Sequence, residues 1–135
     1  MTNTAIQEDK VKKILIIEDE GDICFLLNIM LKGENIDLEH VNTLSQAKVF
    51  LSEQQPALVF LDNSLPDGRG LDFIEFIKTN HPTSKVVMIT AFHSQSEKEK
   101  ALKNGADLFL EKPFTRSQIM EAVNGLLELN SEIEK

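Results

Sequence analysis

The chain has 135 residues, of which 41% are hydrophobic and 27% are charged, a composition that suits one compact globular domain. Its net charge of −8 argues against direct binding to nucleic acid or to an anionic membrane, because both need a basic surface. The single cysteine, Cys24, excludes a disulfide within the chain and is predicted to be a small buried side chain rather than a reactive thiol. Neither a signal peptide nor an apolar run of about 18 residues is found, which predicts a cytoplasmic protein.

Short apolar runs alternate with helical patterns along the chain. Residues 1–10 are polar and are predicted to be a flexible leader, 11–130 to be the domain, and 131–135 to be a tail. The runs at 14–17, 57–61 and 86–89 are continuously apolar, which is typical of central parallel strands covered on both faces. Residues 36–41 alternate between apolar and polar, and 108–110 form a short run, so both are predicted to be edge strands.

Capping patterns mark the helices that lie between these strands. Thr43, Ser94 and Thr115 each stand three residues before a glutamine or glutamate, as in a capping box, and Gly33 and Gly105 stand where C-caps are expected. Further helix bounds are predicted at about 69–80 and 117–129. The alternation predicts an α/β fold, a doubly wound five-stranded parallel sheet of order 2-1-3-4-5 with five helices.

Polar residues follow four of the predicted strands at the carboxyl edge, where open α/β sheets bind ligands. They are Glu18, Asp19 and Glu20, then Asp62, then Thr90 and Ala91, and finally Lys112 and Pro113. Each has an ordinary explanation alone: the acids as charges in the first turn of a helix, the aspartate as a turn former, the lysine as a solvated side chain. Together they could hold a magnesium ion, which prefers oxygen ligands, and a phosphoryl group, which needs cations and hydroxyl donors.

Four segments carrying these residues resemble the receiver domains of two-component response regulators. They are the segments 14–20 (ILIIEDE), 61–70 (LDNSLPDGRG), 88–91 (MITA) and 105–114 (GADLFLEKPF). Their order and spacing match the family from about residue 12 to residue 129. The resemblance implies a flavodoxin-like (βα)5 fold, and a function in phosphorelay signalling.

By this resemblance, Asp62 is the phosphoacceptor, whose carboxylate attacks the phosphohistidine of a sensor histidine kinase or phosphotransfer protein. The resemblance implies Mg²⁺, or Mn²⁺ in its place, as the cofactor. The metal set is then Glu18 through water, Asp19 directly, Asp62, and the backbone carbonyl of Ser64.

The remaining residues of the pattern are implied to form the switch. Thr90, Ala91 and Lys112 would bind the phosphoryl group, and Phe109 would move inward as Thr90 is drawn toward the phosphate. Pro113 is a candidate for a cis peptide bond that fixes a tight turn.

This sequence departs from the family pattern at a few positions. Glu18 replaces the more usual aspartate, and Phe109 replaces a frequent tyrosine, so no phenol hydroxyl is available there. Ser64 and Phe92 occupy the positions that flank the water which hydrolyses the acyl phosphate in this family. We hypothesise that Phe92 shields the site, so that Phe92→Ala shortens the acyl phosphate half-life; an unchanged half-life would reject this.

The resemblance implies a signalling module and not an enzyme that turns over external substrates, although self-catalysed phosphorylation and dephosphorylation are expected. Few residues follow the last predicted helix, so we expect output through a protein partner docked on the polar helix from Ser94 to Lys103, the fifth strand and the last helix. We expect a monomer or weak dimer that does not bind nucleic acid or insert in a membrane. A fragment of a larger regulator stays an open alternative.

Two other functions share part of the pattern. A magnesium-dependent phosphohydrolase also uses an aspartyl nucleophile, but it usually needs a second acid nearby, and position 64 is a serine. A flavin-binding electron carrier shares the sheet order, but the acids at 18–20 would repel a flavin phosphate. His40, His81 and His93 are expected at the surface or in loops, without a role in phosphotransfer.

Overall fold

The structure, a computed structural model, describes residues 11–32, 35–91 and 94–127. The predicted leader at 1–10, the tail at 131–135, the C-cap at Gly33, and Phe92 with its hypothesis on hydrolysis all lie outside the described residues.

A parallel sheet forms the centre of the molecule. Its strands, within the described ranges, are β1 (Lys12–Ile17), β2 (Ile36–Val41), β3 (Leu58–Asp62), β4 (Lys85–Thr90) and β5 (Leu108–Glu111). They lie in the order β2-β1-β3-β4-β5, which confirms the predicted order. The three continuously apolar runs are the three inner strands because only those strands are covered on both faces.

Helices connect the strands. Those of the described chain are α1 (Gly21–Leu31), α2 (Leu44–Glu53), α3 (Ile74–Asn80), α4 (Gln95–Lys103) and α5 (Arg116–Leu127). The side chains of Thr43, Ser94 and Thr115 each accept a hydrogen bond from the backbone N–H three residues on, which confirms them as N-caps. The reciprocal bond of a capping box forms at Thr115, whose N–H donates to Gln118 Oε1, whereas Gln46 accepts from Asn42 and Glu97 pairs with Arg69. Among the described residues, no helix has the length and apolar character that crossing a bilayer requires.

The two faces of the sheet bury two separate apolar clusters, because successive side chains of a strand point to opposite faces. On one face, Leu15 and Ile17 of β1 pack in a cluster with residues of α2, α3 and α4. On the other face, Ile14 and Ile16 pack in a cluster with residues of α1 and α5. This arrangement anchors each strand firmly, so that the carboxyl ends form a rigid edge.

The segment after β3 differs from the helix predicted at about 69–80. Ser64–Leu65 and Gly68–Arg69 form a small antiparallel ladder, Gly70–Phe73 forms a 3-10 turn, and only then does α3 begin. The start of the predicted helix was therefore wrong by about one turn.

Gly70 explains that difference. The chain folds back so closely on the end of β3 that a Cβ atom at Gly70 would lie 2.1 Å from the backbone oxygen of Asp62. Asn63 secures the return, since its backbone oxygen accepts from Gly70 N at 3.0 Å and its side-chain oxygen accepts from Leu71 N at 2.8 Å. Regular helix can begin only after this close approach has been passed.

Candidate functional site

Three acidic residues follow β1 at the carboxyl edge of the sheet. Glu18 is fully buried, whereas Asp19 and Glu20 are exposed. Glu18 continues the pairing of the sheet, because its backbone N–H donates to Val41 O of β2 at 3.1 Å. Its carboxylate turns back and accepts from the Glu20 backbone N–H at 3.0 Å. The strand therefore ends in one fixed, buried carboxylate beside two exposed ones.

Asp62 ends β3, the strand next to β1, and is only 3% exposed. One carboxylate oxygen each of Glu18, Asp19 and Asp62 lies within 4.8 Å of the others. The parallel sheet brings them together because the carboxyl ends of adjacent strands meet at one edge. Sequence analysis predicted this convergence of the acids.

Lys112 follows β5 and reaches across the edge to the acids. Its Nζ atom lies 2.9 Å from Glu18 Oε1, 3.3 Å from Asp62 Oδ1 and 3.4 Å from Glu20 Oε1, and its side chain is 9% exposed. Its backbone N–H donates to Thr90 O at 2.8 Å, which ties the loop after β5 to the end of β4. The bond between Lys112 and Pro113 is cis.

Burial and charge together perturb the ionisation of these groups. Burial raises the pKa of Glu18 from 4.5 to about 7, and the charge of Asp62 adds to the rise while the Lys112 ammonium opposes it. Burial also raises the pKa of Asp62, against the opposing charge of Lys112. Burial alone would lower the pKa of Lys112, but Glu18, Asp62 and Glu20 raise it overall, so the ammonium form is favoured.

The cluster has the chemistry of a site for a hard divalent cation. The acids offer oxygen ligands only, and the single ammonium of Lys112 faces the carboxylates of Glu18, Glu20 and Asp62 as well as the nearby Asp19. Glu18 Oε1 lies 2.9 Å from the Lys112 ammonium, although the pair lacks the geometry of a regular hydrogen bond. A divalent ion would offset the negative charge of these carboxylates that one ammonium leaves unbalanced, so the residues fit Mg²⁺.

The other predicted residues lie around this cluster. Thr90 is buried at the end of β4, and Ala91 follows it in an exposed turn. Ser64 is exposed, and the proximity of its backbone N–H to the Asp62 carboxylate opposes the rise in the pKa of Asp62. Phe109 is partly buried on β5 and packs against the cluster of buried residues shared by α2, α3 and α4. The structure thus places these predicted residues around one edge of the sheet.

Sequence analysis missed one polar contact at this edge. Nε2 of His40, on β2, lies 2.8 Å from the backbone oxygen of Glu18 and 2.8 Å from Sγ of Cys24. Cys24 is buried, which confirms that part of the prediction, and burial raises the pKa of its thiol to about 12, which disfavours the nucleophilic thiolate. The predicted order of the sheet places β2 beside β1, but the contact of His40 with Glu18 depends on the register of these two strands, which the sequence does not give.

A model of one protein family covers most of the chain. The family is described as the response regulator receiver domain, and its model matches residues 14–124. The chain is 38% identical over 125 residues to the response regulator protein PilR of Pseudomonas aeruginosa, an alignment that covers 92% of this chain and 28% of PilR. Other curated relatives are matched over about half of their length.

Solved structures show the same likeness. The beryllofluoride-activated NtrC4 receiver domain dimer is 36% identical, with a TM-score of 0.83 over 90% of this chain and 100% of that one. A CheY-like response regulator receiver domain protein from Methanospirillum hungatei is 26% identical, with a TM-score of 0.82 over 91% of this chain and 99% of that one.

Proposed function

This chain belongs to the response regulator receiver domain family of two-component systems, whose members are phosphorylated on aspartate, and we propose that Asp62 is its phosphoacceptor. One observation carries the proposal: Asp62 is the buried carboxylate at the end of a central strand that faces both the ammonium of Lys112, at 3.3 Å, and two further acids. No other carboxylate of the described chain combines these neighbours with a position at the end of β3.

The proposed reaction is a transfer of one phosphoryl group. A carboxylate oxygen of Asp62 attacks phosphorus in a phosphoimidazole, an O–P bond forms as the N–P bond breaks, and the imidazole leaves with the electron pair. Lys112, the Thr90 hydroxyl and the Ala91 backbone N–H then bind the phosphoryl oxygens. Phe109 moves inward when Thr90 is drawn toward the phosphate.

We propose Mg²⁺ as the cofactor, with Mn²⁺ able to replace it. Asp19 and Asp62 would hold the ion directly, Glu18 through a water molecule, and Ser64 through its backbone carbonyl. When bound, the ion offsets the negative charge of the phosphoryl group and of the carboxylates. The approach of one carboxylate oxygen each of Glu18, Asp19 and Asp62 to within 4.8 Å of the others supports a shared ion.

The partner that donates the phosphoryl group is proposed to dock on α1. This helix begins directly after the acids, and it exposes Phe25 (69%), Leu26 (38%) and Ile29 (57%). An apolar surface so close to the acceptor suits a protein donor such as a histidine kinase or phosphotransfer protein. Replacing Phe25 and Ile29 with serine should slow phosphorylation by a protein donor at least tenfold while leaving phosphorylation by acetyl phosphate unchanged. An equal slowing with both donors would contradict this docking surface.

The downstream partner is proposed to bind α4, β5 and α5 in the cytoplasm. Support comes from α4, in which Ala101 is the only buried residue, so that the helix is weakly anchored and easily moved. Arg69, in the segment after the phosphoacceptor, forms an exposed ion pair of 2.8 Å with Glu97 of α4, so a shift of that segment is passed directly to the helix.

We propose a monomer or weak dimer, and the NtrC4 receiver, solved as a dimer when activated, shows that this fold can dimerise.

The test is the intact mass of the chain after incubation with acetyl phosphate and MgCl₂. Wild type should gain one phosphoryl group, Asp62→Asn should gain none, and chelation of the metal should abolish the gain. Asp22→Asn is the matched control, because Asp22 is an exposed carboxylate in the first turn of α1. It should be phosphorylated like wild type. An adduct that survives Asp62→Asn would refute the assignment.

A further inference from the structure

His40 contacts the backbone of the acidic site rather than one of its side chains. Its Nε2 atom lies 2.8 Å from Glu18 O, the carbonyl of the peptide that joins Glu18 to Asp19. Cys24 of α1 approaches the same carbonyl, with Sγ at 3.5 Å, and it lies 2.8 Å from the histidine ring. One carbonyl is thus contacted from β2 on one side and from α1 on the other.

The distances from the Glu18 carbonyl oxygen to His40 Nε2 and to Cys24 Sγ indicate which of these groups donates a hydrogen bond to it. An unprotonated Nε2 at 2.8 Å from a carbonyl oxygen would set two lone pairs against each other, whereas a protonated Nε2 donates a hydrogen bond of ordinary length. The Glu18 carbonyl has a second lone pair, which the Cys24 thiol reaches as a weak donor. A hydrogen bond from His40 to the Glu18 carbonyl therefore requires the ring form that carries a proton on Nε2.

The contact between His40 and the Glu18 carbonyl matters because the same peptide leads into Asp19, a proposed metal ligand. Glu18 is held at its backbone N–H by Val41 O and at its carboxylate by the Glu20 N–H. In the described part of the chain, no hydrogen bond or ion pair holds the Asp19 carboxylate. The Asp19 carboxylate is therefore carried by a peptide whose carbonyl oxygen contacts His40.

We propose that His40 is a positioning residue for the metal site, and that its hydrogen bond to the Glu18 carbonyl aims the Asp19 carboxylate at the ion. This inference rests on the proposed Mg²⁺ site. It assigns His40 no contact with the metal or with the phosphoryl group. A purely structural role, in which the bond only fastens β2 to β1, would lower stability without changing the affinity for Mg²⁺.

The test compares three variants of the full chain by calorimetric titration with MgCl₂. His40→Leu should raise the Kd for Mg²⁺ by about five- to tenfold, since groups that orient ligands commonly contribute this much or more. His40→Gln should stay within about twofold of wild type, because its amide nitrogen can donate from nearly the position of Nε2. His81→Leu is the control: Nε2 of His81 lies 2.8 Å from the backbone oxygen of Leu51, outside the acidic site, and its loss should leave the Kd unchanged.

A second measurement needs no variant and no metal. Long-range ¹H–¹⁵N correlation spectra of the wild type at pH 8.5 should show His40 protonated on Nε2. An Nδ1-protonated ring, or an unchanged Kd in His40→Leu, would overturn the inference while leaving the Mg²⁺ site intact. Failure of the wild type to bind Mg²⁺ would instead overturn the proposed site, and the inference with it.

Discussion

Glu18→Gln should stabilise the metal-free protein, and the gain should depend on pH. Burial raises the pKa of Glu18 from 4.5 to about 7 in the folded chain, so the folded state holds this proton more tightly than the unfolded state does. The free energy of unfolding therefore falls as the pH rises from 4.5 toward 7, and it stays low above that range. Glutamine at position 18 is neutral at every pH, so it removes the loss of stability that the ionised Glu18 causes at high pH.

The magnitude follows from the shift. Each pKa unit is worth about 1.4 kcal/mol, so the rise from 4.5 to about 7 gives an upper bound of roughly 3.5 kcal/mol. The interior relaxes around a buried charge, so we expect a gain of about 1 to 3 kcal/mol at pH 8.5. Less than about 1 kcal/mol should remain at pH 5, where the folded-state carboxyl of wild type is already protonated.

The assay is urea denaturation followed by far-ultraviolet circular dichroism in the presence of EDTA, since the chain has no tryptophan or tyrosine to report unfolding. Glu75→Gln is the matched control, because Glu75 is an exposed carboxylate on α3, and it should change stability little at either pH. A Glu18→Gln variant that is no more stable than wild type at pH 8.5 would refute the reasoning from burial.

Three further predictions concern the backbone, the metal and a helix cap. Gly70→Ala should destabilise the protein by about 3 kcal/mol or more, because its Cβ would lie 2.1 Å from the backbone oxygen of Asp62. Gly125→Ala should instead stabilise the protein by about 0.5–1 kcal/mol, because a Cβ on this residue of α5 would meet no atom within 4 Å apart from its chain neighbours and the backbone of its own helix. Equal effects of the two substitutions in urea denaturation would contradict the close approach at Gly70. The affinity for Mg²⁺ should rise as the pH passes from 6 to 8, because Glu18 has a pKa of about 7 and must lose its proton to help bind the ion. Calorimetry would measure this change, and an affinity independent of pH would exclude Glu18 from the site. Thr115→Ala should cost about 1 kcal/mol in thermal or urea unfolding, because Thr115 Oγ1 accepts from the Gln118 backbone N–H at 3.1 Å and caps α5, and alanine has no hydroxyl to replace it. The 2.8 Å bond from the backbone N–H of residue 115 to Gln118 Oε1 does not involve the threonine side chain and should remain. No change in stability would mean that solvent replaces the cap.

The sheet could be predicted from the sequence because burial on two faces leaves a strong pattern. Ile14, Phe60 and Val87 belong to continuously apolar runs, and all three are fully buried in the inner strands. Strand order then followed from the weaker apolar character of the edge strands. The acids and Lys112 could be predicted to converge for the same reason, because each follows a parallel strand at the same edge.

Features that depend on tertiary contact could not be predicted in this way. The chain folds back at Gly70 because its backbone approaches that of Asp62 closely. A glycine within a helical sequence pattern does not by itself indicate such an approach. The bond from His40 to the Glu18 carbonyl joins residues 22 positions apart, and it depends on the exact register of β1 and β2. Nor does the sequence give the pKa of Glu18, which is set by its complete burial.

The central claim is that Asp62 carries the phosphoryl group, and its chemistry allows a direct test in the unaltered chain. Borohydride reduces an aspartyl phosphate to homoserine, so the phosphorylated wild type can be reduced, digested and sequenced by mass spectrometry. The account predicts homoserine at position 62 and aspartate at every other aspartate position. Homoserine at any other position, with Asp62 intact, would contradict it.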